Sequence, residues 1–122
     1  MDENRKFVLE AQVERTMKAL AKNQMPAVYA PTKAAAVKAV EAMLREGETI
    51  SCGGSVTLAE SGIRDLMKSG RYQFIDREKM DPREAYLKTF DADVFLTSAN
   101  AITEDGELYN VDGNGNRVAA LI

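Results

Sequence analysis

Between Pro26 and Thr97, short apolar runs alternate with stretches of helical periodicity, and a proline, a glycine or a capping residue marks each change of period. No other feature constrains the fold as much. A strand that is apolar along its whole length must be covered on both faces, and helices connecting successive parallel strands provide that cover. The runs Ala27–Ala30, Thr49–Cys52, Tyr72–Ile75 and Asp93–Thr97 read as strands. Between them Thr32 caps a helix whose Val37, Val40 and Leu44 share one stripe until Gly47. Thr57 and Glu60 have the spacing of a capping box and open a helix carrying Leu58, Ile63, Leu66 and Met67, which stops at Gly70. Asp81-Pro82-Arg83-Glu84 sets a cap, a first-turn proline and an acidic third position ahead of a helix running to Phe90. Ahead of all this, Leu9, Val13, Met17 and Leu20 predict an amphipathic helix over residues 3–23, with Asn23 as its cap and Pro26 barring continuation. The expected fold class is α/β, a mostly parallel open sheet with helices on both faces.

After Leu96 the rhythm changes. Residues 101–111 read as a small hairpin whose turn contains Gly106. Asp112-Gly113-Asn114-Gly115-Asn116 is a polar turn, and Asn116 is placed to cap a helix beginning at Arg117. Val118–Ile122 stays apolar to the last residue, so the domain is expected to continue past it, and residues 1–122 read as the amino-terminal portion of a single domain.

Composition narrows the chemistry. The 122 residues carry a formal charge of −3, which argues against a nucleic-acid binder with a basic face. There is no histidine, which removes Ser-His-Asp triads, imidazole bases and His-ligated metals together. One cysteine cannot form an internal disulfide or a thiolate cage, so no metal site is expected and nothing calls for an oxidising compartment. The charged amino terminus lacks a signal-peptide core, and no apolar run approaches the roughly 18 residues of a membrane span. A cytoplasmic protein without membrane contact is the expectation.

Two stretches stand out as carriers of function. Gly53-Gly54-Ser55-Val56-Thr57 lies between a strand's carboxyl end and a helix start, where an open parallel sheet binds ligands; its glycines let an anion approach, and Ser55 and Thr57 offer hydroxyls. It lacks the lysine of a P-loop, and a tight turn with an ordinary cap explains it equally well. The second stretch, Thr97–Arg117, is richer in Asn, Gly and small polar residues than a plain hairpin needs. From Asp91 onward six acids face a single base, Arg117, the natural partner for a carboxylate or phosphate. Its place in a helix first turn opposes the dipole, so it calls for an anion, either a ligand or a structural carboxylate such as Asp112 or Asp93. The 112–116 run imitates a calcium loop, but Arg117 stands where that motif needs glycine. Cys52 reads as a small buried hydrophobe. Glu104, Asp105 and Glu107 lie in or beside the hairpin turn, where carboxylates are ordinarily solvated turn residues; Glu104 and Glu107 are the candidates if one serves as a catalytic carboxylate.

The string Asn100-Ala101-Ile102-Thr103-Glu104-Asp105-Gly106-Glu107-Leu108, followed by Asn110-Val111-Asp112-Gly113-Asn114-Gly115-Asn116-Arg117-Val118-Ala119, closely resembles the signature of the LUD (lactate-utilisation) domain, the family of LutC and YkgG. Gly53-Gly54-Ser55-Val56-Thr57-Leu58 is similar to the same family's earlier loop. The resemblance implies the NagB, RpiA and CoA-transferase type of Rossmann-like fold, with further strands and helices of the sheet following this stretch of chain. It also implies a part in oxidising L-lactate to pyruvate beside partner proteins that hold iron–sulfur clusters, since one cysteine cannot hold a cluster here. On this reading the chain is an accessory or ligand-binding subunit for a small anion. Ser55 and Thr57 donate to the ligand from the Gly53-Gly54 loop, Asn100 and Asn116 orient it in the segment that includes Asp112 and Gly113, and Arg117 pairs with its charge. The alternative is a self-sufficient CoA-transferase-like or sugar-phosphate-type enzyme, with Glu104 or Glu107 as nucleophile or base and the glycine loop holding phosphate. One fold hosts both chemistries. The apolar run Val118–Ile122 further predicts a homo-oligomer, most simply a dimer.

Overall fold

The computed structural model describes residues 2–122. In chain order its elements are α1 (Glu3–Lys22), α2 (Lys33–Met43), β1 (Thr49–Cys52), α3 (Val56–Ser61), α4 (Ile63–Met67), β2 (Gln73–Phe74), α5 (Pro82–Phe90), β3 (Val94–Leu96), β4 (Ala101–Ile102), β5 (Leu108–Tyr109) and α6 (Asn116–Leu121). They fall into two compact units, the residues up to Tyr29 with Ala99–Asn110, and Ala30–Ser98 with Val111–Ile122.

The first unit joins α1 to the β4–β5 hairpin. The Asp2 carboxylate accepts the Arg5 N–H at 2.8 Å and caps the start of α1. At the other end Gln24 takes the left-handed conformation, φ 64°, usually filled by glycine. The Met25 N–H then reaches the Leu20 carbonyl at 2.9 Å and the Gln24 N–H the Ala21 carbonyl at 3.0 Å, the Schellman pair of bonds that closes a helix. Asn23 is the C-cap, as its place before Pro26 predicts, and its Nδ2 donates to the Gly106 carbonyl at 2.9 Å and the Asp105 carbonyl at 3.2 Å. Gly106 itself has φ 83°, and a Cβ there would lie 2.5 Å from the Ala19 carbonyl carbon, so the turn and the helix meet only because the residue is glycine. The hairpin is antiparallel, pairing Ala101 with Tyr109 and Ile102 with Leu108, within the span expected for it.

The run Ala27–Ala30 is not a strand. Its flanking prolines offer no N–H to a ladder, and Val28 and Tyr29 are exposed, so its apolar character does not reflect burial in a sheet.

The second unit is the α/β core. β1 is central, with β2 and β3 parallel on either side in the order β2-β1-β3. Short as β2 is, the Gln73 N–H donates to the Glu48 carbonyl at 2.8 Å and the Ile75 N–H to the Ile50 carbonyl at 2.9 Å, which carries the ladder past its ends. Alternation along β1 assigns the faces. Ile50 and Cys52 pack in the core with Leu44, Leu58, Ile63, Leu66 and Met67, residues that follow or belong to α2, α3 and α4. Ser51 points to the opposite face, where its buried hydroxyl meets Thr89 Oγ1 of α5 at 2.7 Å. Thr89 in turn donates to the Ala85 carbonyl at 2.8 Å, so Ser51 is the donor to Thr89 and neither hydroxyl is left unpaired. Helices on both faces of a parallel sheet are what the alternating sequence requires.

Several expected boundaries move. The helix expected to carry Leu44 up to Gly47 ends at Met43, because Leu44 turns to extended backbone as its C-cap. The third predicted helix is two, because Gly62 adopts φ 89° and interrupts it between α3 and α4. Its cap is Ser55, not Thr57. The Ser55 hydroxyl accepts the Leu58 N–H at 3.2 Å, and Thr57 is already inside the helix, so the Thr57–Glu60 capping box does not form. Likewise α6 begins at Asn116 and its N-cap is Gly115, with no side-chain cap from Asn116.

Candidate functional site

The site is built where β1 and β3 end. The ladder continues one bond past β1, with the Gly53 N–H donating to the Leu96 carbonyl at 3.3 Å, and this leaves Gly53 buried at the sheet's carboxyl edge. A Cβ on Gly53 would lie 2.9 Å from Arg117 Cγ and 3.1 Å from Cδ. The missing side chain therefore lets the arginine stem lie directly on the loop.

Arg117 is held from several directions. Its Nε donates to Asp112 Oδ1 at 2.8 Å, Nη1 to the Ser98 carbonyl at 3.2 Å and Nη2 to the Val111 carbonyl at 3.1 Å. The two charged side chains are only 13% and 9% exposed. Asp112 Oδ2 also accepts the Val118 N–H at 2.6 Å, which supplies the cap that Asn116 does not. A carboxylate at the start of a helix offsets the cation that the dipole disfavours there. Asp112 is thus the structural partner anticipated for Arg117. Ser55 completes the cluster through its hydroxyl, 2.9 Å from that of Ser98. Gly53, Ser55, Asp112 and Arg117 are brought together, while Gly54, Thr57 and Gly113 are exposed nearby in sequence and Asn116 is half-buried at the head of α6.

The remaining candidates lie in the hairpin unit. The Asn100 N–H donates to the Tyr109 carbonyl at 3.0 Å. Glu104 pairs with Arg15 at 3.2 Å in solvent. The Glu107 N–H donates to Thr103 Oγ1 at 3.0 Å, and that hydroxyl donates to Glu107 Oε1 at 3.2 Å. Asn110, outside the candidate set, has a buried Oδ1 with no hydrogen-bond partner among the described residues, which is uncommon for a buried amide.

On the other flank of Gly53 and Gly54 lies a cavity of about 250 Å³ that the sequence did not reveal. Arg64 of α4 and Arg77, just past β2, line it with Glu78, while Phe74, Pro82, Ala85 and Tyr86 form its apolar part. The signal available in the sequence was position: Arg77 follows a strand's carboxyl end, the edge at which open parallel sheets bind ligands. Cys52 also lines this cavity, buried, and loss of solvent pushes its thiol pKa up against the opposing pull of Arg64 and Arg77. The thiol is held protonated near neutral pH and is a poor nucleophile.

Among the described residues no three His, Cys, Asp or Glu side chains are grouped to hold a metal ion, and no helix is long and apolar enough to cross a membrane. Comparison with curated proteins and with solved structures gives no match. The LUD domain matches residues 13–122, a span that includes the glycine loop, the hairpin and the Asp112–Arg117 cluster. The chain belongs to the LUD domain family, whose members are associated with lactate utilisation.

Proposed function

We propose that this protein is a LutC-like ligand-binding subunit of lactate oxidation, acting beside partner proteins that carry the iron–sulfur clusters and pairing as a homodimer. The observation that carries the reading is the seating of Arg117 on Gly53. Residues 53 and 117, more than 60 positions apart and each from a motif resembling the family's signature, meet at the carboxyl edge of a parallel sheet. There the glycine loop, with Ser55 and Thr57, receives a small carboxylate, and Arg117, held by Asp112, presents its charge to it. A single cysteine is consistent with clusters held elsewhere.

The test is complementation of a bacterial strain unable to grow on L-lactate for want of its own LutC-like protein, together with calorimetric titration by L-lactate, pyruvate, sugar phosphates and CoA esters. Growth restored by the wild-type chain and lost with Gly53→Ala or Arg117→Lys, with matching loss of lactate or pyruvate binding, is the expected result. Wild-type growth and binding by a folded Arg117→Lys protein would show that Arg117 serves structure alone. Tight binding of a sugar phosphate or CoA ester with none of the three-carbon acids would instead point to the enzyme class. Light scattering tests the dimer.

A further inference from the structure

We infer that the cavity bordered by Gly53 and Gly54 is a further binding site, on the far flank of the glycine loop from Arg117, for an organic oxyanion with an apolar body, its charged end on Arg64 and Arg77 and its body on Phe74 and Tyr86. This rests on the reading of the glycine loop as the edge of a ligand crevice.

The chemistry of the lining selects the ligand. Two guanidinium groups face one carboxylate, Glu78, which leaves the cavity cationic. In the Arg64–Glu78 pair, 3.1 Å long, Arg64 is 25% exposed and the glutamate 68%, so water competes for the carboxylate end while the guanidinium stays in the cavity wall. An incoming carboxylate or phosphate therefore exchanges for Glu78 on Arg64, with bidentate geometry available to it. Arg77 is exposed and forms no ion pair among the described residues, so its charge is available without any exchange. Phe74, Pro82, Ala85 and Tyr86 make the rest of the wall apolar, the combination of apolar lining and a few placed polar groups that characterises small-molecule sites. Volume sets the size. About 250 Å³ is the space of about eight waters in the liquid, more than a three-carbon hydroxy acid fills and less than a dinucleotide needs. The buried thiol of Cys52 adds a weakly polar wall and, being protonated, no competing negative charge.

The full chain is titrated with pyruvate, phenylpyruvate, inorganic phosphate and phenyl phosphate, followed by calorimetry and by amide shifts. The phenyl compounds are expected to bind about tenfold more tightly than their small counterparts, a difference that burial of a ring readily supplies. Which of the two binds better identifies the carboxylate or the phosphate as the charged end. Arg77→Ala weakens binding by about tenfold or more, as loss of a charge-assisted contact should. Glu78→Gln strengthens it severalfold by removing the competitor, a gain that a merely structural role for this surface residue does not produce. Both residues are exposed, so both variants are expected to fold, which melting checks. Equal affinity for phenyl and small anions, binding untouched by either substitution, or no binding of any probe would each overturn the inference.

Its failure is separable from that of the lactate role. If the wild type and Arg77→Ala both support growth on lactate and neither binds a phenyl probe, the cavity inference falls alone. If the probe binds and is lost in Arg77→Ala while the wild-type chain does not restore growth, the lactate reading falls alone.

Discussion

Asp112 is the residue on which the candidate site depends most. One oxygen takes the Arg117 guanidinium and the other the Val118 N–H, and the pair is largely out of solvent. Removing the carboxylate leaves a buried cation without its partner and a helix end without its cap, so Asp112→Ala should lower stability by about 3 kcal/mol. Asp112→Asn, which keeps an acceptor, should lose less. Urea midpoints for the two variants, read at constant slope, check this ordering. The sequence pointed to Arg117 through an electrostatic inconsistency, a lone base in a helix first turn, and Asp112 resolves it. Arg64 and Arg77 gave no such signal, because nothing local distinguishes them from surface arginines until the sheet brings them to one cavity. Cys52 carries a prediction in pH. With its pKa raised on folding, the native state holds more protons than the unfolded state above the ordinary thiol range, so stability is full below about pH 8.5 and falls as pH rises beyond it. The urea midpoint of the wild type should decline between pH 8 and 10 more steeply than that of Cys52→Ala. Equal slopes would mean that burial does not hold the proton.

At the scale of elements, helix starts decide how the glycine loop is presented. Ser55 has extended dihedrals and caps α3, so its hydroxyl serves the helix and the neighbouring Ser98 together. Ser55→Ala should therefore cost about 1 kcal/mol or somewhat more, whereas Thr57→Ala, at an exposed helical position, should stay within about 0.5 kcal/mol. Thermal melts of the two single variants separate these cases, and a larger loss at Thr57 would reinstate the capping box. Thr57 and Glu60 have the spacing of a capping box, but the backbone enters the helical region two residues earlier, at Val56, with only the extended Ser55 between it and the glycines. The α5 start was legible because Asp81, Pro82 and Glu84 all agree on one register, and the Asp81 carboxylate does accept the Glu84 N–H at 3.3 Å. Where signals were single, the fold overrode them. An apolar run between two prolines found no ladder partner, and the stripe through Leu58 and Met67 could not show that Gly62 turns left-handed in its middle.

The two units differ in how much apolar surface holds them. The core of Ile50, Met67, Leu66, Ile63 and Leu58 belongs wholly to the Ala30–Ser98 unit, while among the described residues of the α1–hairpin unit Leu20 is the buried apolar side chain, alongside the glycine contact of Gly106. Local opening follows the density of buried contacts, so amides of α1 and of β4–β5 should exchange with solvent at lower free energy than those of β1 and α4. Gly106 makes this difference testable. Alanine there meets the Ala19 backbone at 2.5 Å in a left-handed conformation that a side chain disfavours, so helix and turn cannot keep their contact, and the Asn23 bonds to the Asp105 and Gly106 carbonyls lose their geometry with it. Hydrogen exchange on Gly106→Ala should then show protection lost across Ala101–Tyr109 and the last turns of α1 and retained through β1, β3 and α4. If protection instead falls equally in both units, they open as one cooperative body, and the small core around Leu20 is not the weak point that its burial indicates.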